Sequence, residues 1–64
     1  MRVQLPGGTL RTVEAEVMPV EELLALLGVN PVEVIVTRNG MLVPEDATAG
    51  GDDEIRLVRI SHGG

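Results

Sequence analysis

The chain has no cysteine, no lysine and no phenylalanine, tyrosine or tryptophan. Absent cysteine removes disulfides, thiolate nucleophiles and thiolate metal sites together. A small domain without disulfides fits a reducing compartment, and nothing at the N-terminus resembles a signal peptide, so a cytoplasmic location is expected. Without aromatic rings there is no platform on which single-stranded bases could stack. No apolar run approaches the ~18 residues that a membrane-spanning helix requires. Cations are also scarce: five, all arginine, stand against ten acidic residues, for a net charge of −5. That balance disfavours contact with a phosphate backbone, so neither nucleic acid nor membrane is an expected partner.

What is present is enough for one small domain of 64 residues, expected to be a monomer. At this size apolar burial and the cost of ordering the chain nearly cancel, so almost every apolar residue is needed for the core. Little is left to line a private catalytic cavity.

Met1 to Leu5 alternates apolar and polar residues, as a half-buried strand does. Pro6-Gly7-Gly8-Thr9 reads as a turn. Beyond it Val13, Ala15 and Val17 face one way and Thr12, Glu14 and Glu16 the other, which predicts a β-hairpin. Pro19 suits the first turn of a helix, and Glu21 and Glu22 favour its dipole. Val20, Leu23, Leu24 and Leu27 fall on one stripe, and Gly28 is placed to end the helix with a left-handed residue. Met18 offers no side-chain acceptor to cap its start.

Asn30-Pro31 breaks the chain, and Glu33 to Arg38 is β-branched and strand-like. Asn39-Gly40 is a strong hairpin signal leading into Met41–Val43. Pro44 to Asp53 holds no clear element. Glu54 to Ile60 is the final strand, with Ile55 and Leu57 on one face and Arg56, Val58 and Ile60 on the other. One helix for one sheet face makes an α+β, two-layered class.

Three stretches carry a family resemblance: Val34-Ile35-Val36-Thr37-Arg38-Asn39-Gly40, Val43-Pro44-Glu45-Asp46, and Glu54 through Ile60 to Ser61-His62-Gly63-Gly64. With the order of elements they resemble the ubiquitin-like β-grasp fold. The chain looks most like the ThiS/MoaD-type sulfur carriers and the related small archaeal modifier proteins. It departs from the carriers' frequent Asp-Gly-Asp before the last strand, having Gly50-Gly51-Asp52-Asp53 instead. The loop from Pro44 to Gly50 is also short for a MoaD-type chain.

The resemblance implies a mixed sheet of four to five strands on one helix, with the last strand parallel to the first. It implies a body over residues 1–60 and a flexible tail over 61–64. It further implies that an E1-like enzyme binds ATP and magnesium and joins the Gly64 carboxylate to AMP. Sulfur from a persulfide then displaces AMP and leaves a thiocarboxylate. The cofactors are the enzyme's, with none bound by this chain. The implied partners are that adenylating enzyme, a sulfur-accepting synthase or thiolase and, for a modifier, lysines of target proteins. The pathways in view are thiamine thiazole, tRNA 2-thiouridine and molybdopterin synthesis. In place of sulfur transfer, Gly64 can be joined to a target lysine by an isopeptide bond. A third expectation is a non-catalytic adaptor. Having no lysine, the chain cannot build lysine-linked multimers of itself, which leaves only the amine of Met1.

Among single residues, Gly63-Gly64 and His62 form the tail expected to thread the activating enzyme. His62 lacks an orienting partner in sequence and reads as a spacer rather than a base. Ser61 has no base fixed near it for a nucleophilic role. Asp52-Asp53-Glu54 lacks the alternating spacing of a calcium loop and reads as a solvated turn, so no metal is expected. Ile35, Arg56, Val58 and Ile60 share the outward sheet face by parity, with Leu10 near, and are expected to be a docking face.

Overall fold

Strand β1 (Arg2–Gln4) is held on both sides, by β2 (Leu10–Thr12) antiparallel and by β7 (Glu54–Arg59) parallel. In this computed structural model, which describes residues 1–60, the sheet order is β2-β1-β7-β4-β5, with β4 at Val34–Arg38 and β5 at Met41–Val43. The last strand therefore lies between the first and β4, parallel to one and antiparallel to the other. A β-grasp sheet of five strands on one helix, as the resemblance implies, is what the chain forms.

Helix α1 (Val20–Leu27) covers one face of the sheet. Its apolar stripe is the one that sequence spacing predicts: Val20, Leu23 and Leu24 are buried, and Leu27 packs at the margin. They meet Val3, Val34, Val36, Ile55 and Leu57 from the sheet, with Met1 and Ala49 closing the ends. Strand parity supplies these partners, because inward residues recur at every second position. Gly28 ends the helix at φ 72°, its N–H bonded to the Ala25 carbonyl and that of Val29 to the Leu24 carbonyl. This double closure satisfies carbonyls that have no partner within the helix.

The start of α1 is capped from elsewhere in the chain. Pro19 makes no side-chain cap. Instead the N–H groups of Val20 and Glu21 donate to the carbonyls of Ala47 and Glu45, at 2.8 and 2.9 Å. The loop that carries no clear element in sequence thus supplies the acceptors that Met18 cannot. It also contains a strand: β6 (Thr48–Ala49) pairs antiparallel with β3 (Met18–Pro19) as a separate two-stranded sheet.

The second half of the predicted opening hairpin needs correction. β2 ends at Thr12, and residues 13 to 17 are not strand. Val13 and Ala15 still pack against the core, but Val17 is 69% exposed. The chain leaves the β1 edge after Thr12 to reach the β6 loop, where the Gly51 N–H donates to the Ala15 carbonyl at 3.0 Å. Alternation survives this departure for two inward residues and fails at the third.

Asn39 and Gly40 form the turn between β4 and β5, with φ of 53° and 84°. Those left-handed angles suit a tight turn that matches the strand twist, which is why Asn-Gly signals it.

Candidate functional site

The outward face of the sheet follows from the same parity that builds the core. Ile35 of β4 lies opposite Val58 of β7, and both are 41% exposed. Ile60 continues the face one step further, 39% exposed, with its N–H donating to the Glu33 carbonyl at 2.8 Å. Arg56 stands one step the other way, between Gln4 and Thr37. The four residues expected from sequence are thus assembled on β4, β7 and the residue that follows β7. Leu10 lies two strands away, across Gln4 from Arg56, and is 72% exposed.

Leu42 escapes the sequence reading. Its register partner is Thr37, so it extends the Arg56 row to the far edge of the sheet. Met41, Leu42 and Val43 are all apolar, so this short stretch holds no alternation from which to read a parity.

His62, Gly63 and Gly64, together with Ser61, lie outside the described residues. The body they follow ends at Ile60, beside the Ile35–Val58 pair.

The acidic turn is occupied with structural work. Asp53 accepts from the Asn39 side-chain amide at 3.0 Å and from the Gly50 N–H at 3.0 Å. Asn39 in turn accepts from the Glu54 N–H at 2.9 Å, tying the β4–β5 turn to the start of β7. Glu54 pairs with Arg2 across the β1–β7 ladder, and Arg38 donates to the Thr48 carbonyl. No cluster of three or more metal-ligating side chains occurs among the described residues.

Asp53 carries a pH consequence. Chiefly the Asn39 amide, then the Gly50 N–H and the nearby Arg38 charge, hold its carboxyl below its ordinary value. A carboxyl depressed in the fold contributes stability above the unfolded-chain value, about 4, and loses it as pH falls through the lower folded value. Acid unfolding should therefore show a shallower pH dependence in Asp53→Asn than in the parent. Denaturant midpoints across that range measure it, and equal slopes would sink this assignment.

The family model of small archaeal modifier protein 2 matches residues 1–61. The chain belongs to that family. It is 35% identical over 66 aligned positions to an uncharacterized protein of Archaeoglobus fulgidus, covering 100% of this chain and 97% of that one. It is also similar to the crystal structure of the thiamine biosynthesis protein ThiS from Geobacter metallireducens. There the TM-score is 0.71 at 31% identity, with 100% of both chains covered. A solution structure of a thiamine biosynthesis protein from the same organism gives 0.61 at 29% identity, covering 100% of this chain and 88% of that one.

Small archaeal modifier proteins and ThiS-like carriers are ubiquitin-like proteins that act as carriers or modifiers rather than as enzymes. Among the described residues no helix is long and apolar enough to cross a membrane.

Proposed function

We propose that this modifier-family chain works as a sulfur carrier through the carboxylate of Gly64. A carboxylate resists substitution because attack must expel an oxide. Attack by Gly64 on the α-phosphate of ATP, with loss of pyrophosphate, supplies AMP as a leaving group. A persulfide sulfur then attacks the acyl carbon and AMP departs; a thiol reductant releases the thiocarboxylate. An E1-like partner brings the ATP, the magnesium and the acid–base groups, since the chain has no cysteine and one histidine. The observation that carries this reading is the full-length likeness to ThiS, joined to the Gly63-Gly64 pair that follows β7 in the sequence. The thiamine, tRNA and molybdopterin routes all take sulfur from such a group.

In this reading the Ile35–Val58 pair, with Ile60 and Arg56, docks on the activating enzyme while His62, Gly63 and Gly64 thread its channel. Gly suits that task because it accepts any backbone angle and carries no side chain.

A second reading is favoured by the family description itself: the same adenylate is attacked by a lysine amine of a target protein. Intact mass spectrometry after co-expression with the cognate activating enzyme and a sulfur donor separates the two. An oxygen-to-sulfur mass change at Gly64 supports the carrier, and Gly-Gly remnants on other proteins' lysines support the modifier. Finding neither would reject both.

A further inference from the structure

The sheet has a notch beside β4, and its cause is local. β7 pairs along the whole of β4, from Val34 to Arg38, whereas β5 pairs only with Val36, Thr37 and Arg38. Pro44 ends β5, and the chain then turns away so that Glu45 and Ala47 can cap α1. Val34 and Ile35 are left with no strand on that side.

The hydrogen-bonding phase shows which backbone groups face the notch. Asn39 donates to Glu54 and Glu33 accepts from Ile60, so odd-numbered positions of this stretch bond toward β7. Alternation turns Val34, Val36 and Arg38 the other way. Val36 is met by Val43 and Arg38 by Met41, but Val34 has no strand partner there: its N–H closes the 3-10 turn over Pro31–Glu33, which leaves its C=O turned to the gap.

A groove of ≈ 390 Å³ occupies this place. Its walls include Leu24, Val34 and Val43 from the core side and Ile35 and Leu42 from the outward side. Residues of both sheet faces can line one groove only where the sheet is interrupted, because parity otherwise keeps them apart. The single ionised residue in the lining is Glu45, and Glu33 stands next to Val34 at the start of β4. No cation lines it, and the chain's net charge is −5.

We propose that this notch receives a short extended segment of a partner protein that alternates branched apolar and basic residues. The segment lies along β4 where β5 stops, donates a main-chain N–H to the Val34 C=O, and sets one apolar side chain against Leu24 and Val43. Its basic residues meet Glu45 and Glu33. Strand addition supplies affinity through the main chain and specificity through alternate side chains. Charge decides against a second copy of this chain, which would bring its own acidic edge into the gap. The proposal is independent of Gly64 chemistry and stands or falls without it.

The test is a titration of the ¹⁵N-labelled full chain with a blocked tetrapeptide alternating arginine and valine. The expected result is saturable shifts of the Val34, Ile35 and Leu42 amides that weaken at high salt. Glu45→Arg, which keeps the backbone acceptor of α1, should bind at least about tenfold more weakly, a difference of roughly 1.4 kcal/mol. Leu42→Ser, on an exposed side chain, should weaken binding while leaving the fold intact. Equal binding to Glu45→Arg, equal binding of a glutamate–valine peptide, or shifts confined to Leu10 and Arg56 would overturn the proposal. Concentration-dependent shifts of the groove amides without peptide would also overturn it, by showing self-association.

Discussion

Deleting Gly63 and Gly64 should abolish activation while leaving the fold at its original stability. Among the described residues the buried core ends at Leu57, and the last backbone bond is that of Ile60 to Glu33. The described residues by themselves supply the core between the sheet and α1. Denaturant unfolding of the shortened chain should agree with the parent within about 0.5 kcal/mol, the usual range for changes away from packed groups. Formation of thiocarboxylate, or of conjugates, should fall below detection in the same preparation. A shortened chain that is folded and still activated would remove Gly64 from the mechanism. One that unfolds would mean the tail is part of the body.

Gly50→Ala should be among the most damaging single-methyl additions in this chain. A Cβ at Gly50 would sit 2.0 Å from the Glu16 carbonyl oxygen, 2.6 Å from its carbon and 2.9 Å from the Val17 Cα. All three are backbone atoms, so no side chain can rotate away. The segments that must part are already joined by the Gly51–Ala15 hydrogen bond and by the pairing of Met18 with Ala49. Overpacking costs about 1–3 kcal/mol where side chains yield, and a backbone contact belongs at or above the top of that range. A domain of this size has only ~3–5 kcal/mol to lose. Gly51→Ala is the control. Its added methyl would meet nothing within 4 Å, and only the positive φ of 57° opposes it. That should cost roughly 1 kcal/mol. Thermal or urea unfolding of the pair measures the difference, and equal losses would refute the close-approach argument.

These two neighbouring glycines also show where sequence reasoning reached its limit. Gly50-Gly51 reads as a turn, and the structure contains one. Nothing in the sequence says that Gly50 is needed for space and Gly51 for its angle, because the backbone it touches lies at Glu16 and Val17. The helix stripe, the Asn39-Gly40 hairpin and the two faces of β7 were legible because each follows a local period or a two-residue rule. β3 and β6 were not, since strands of two residues have no period. The α1 cap was hidden for a similar reason. Its acceptors are main-chain carbonyls of Glu45 and Ala47, which carry no residue signature.

The candidate docking face was readable for the opposite reason. Ile35, Arg56, Val58 and Ile60 lie on strands long enough for parity to place them, and cross-strand register brings them together. The notch beside Val34 was not readable, although its cause was printed in the chain. Pro44 stops a three-residue strand that faces one of five.

The parallel ladder between β1 and β7 has a consequence for synthesis. Arg2 and Glu54, ion-paired across it, are separated by 52 residues. Until β7 leaves the ribosome, β1 lacks a central neighbour and α1 has no Ile55 or Leu57 to cover. Loop closure over such a span is costly before the contacts repay it, so folding should wait until β7 has emerged. The hairpin and helix made earlier can only hover near one another. The Ile35–Val58 surface comes into being at the same moment, because Val58 is carried by the strand that completes the sheet. An enzyme recognising that surface would therefore pass over chains in which β7 is missing or not yet in place.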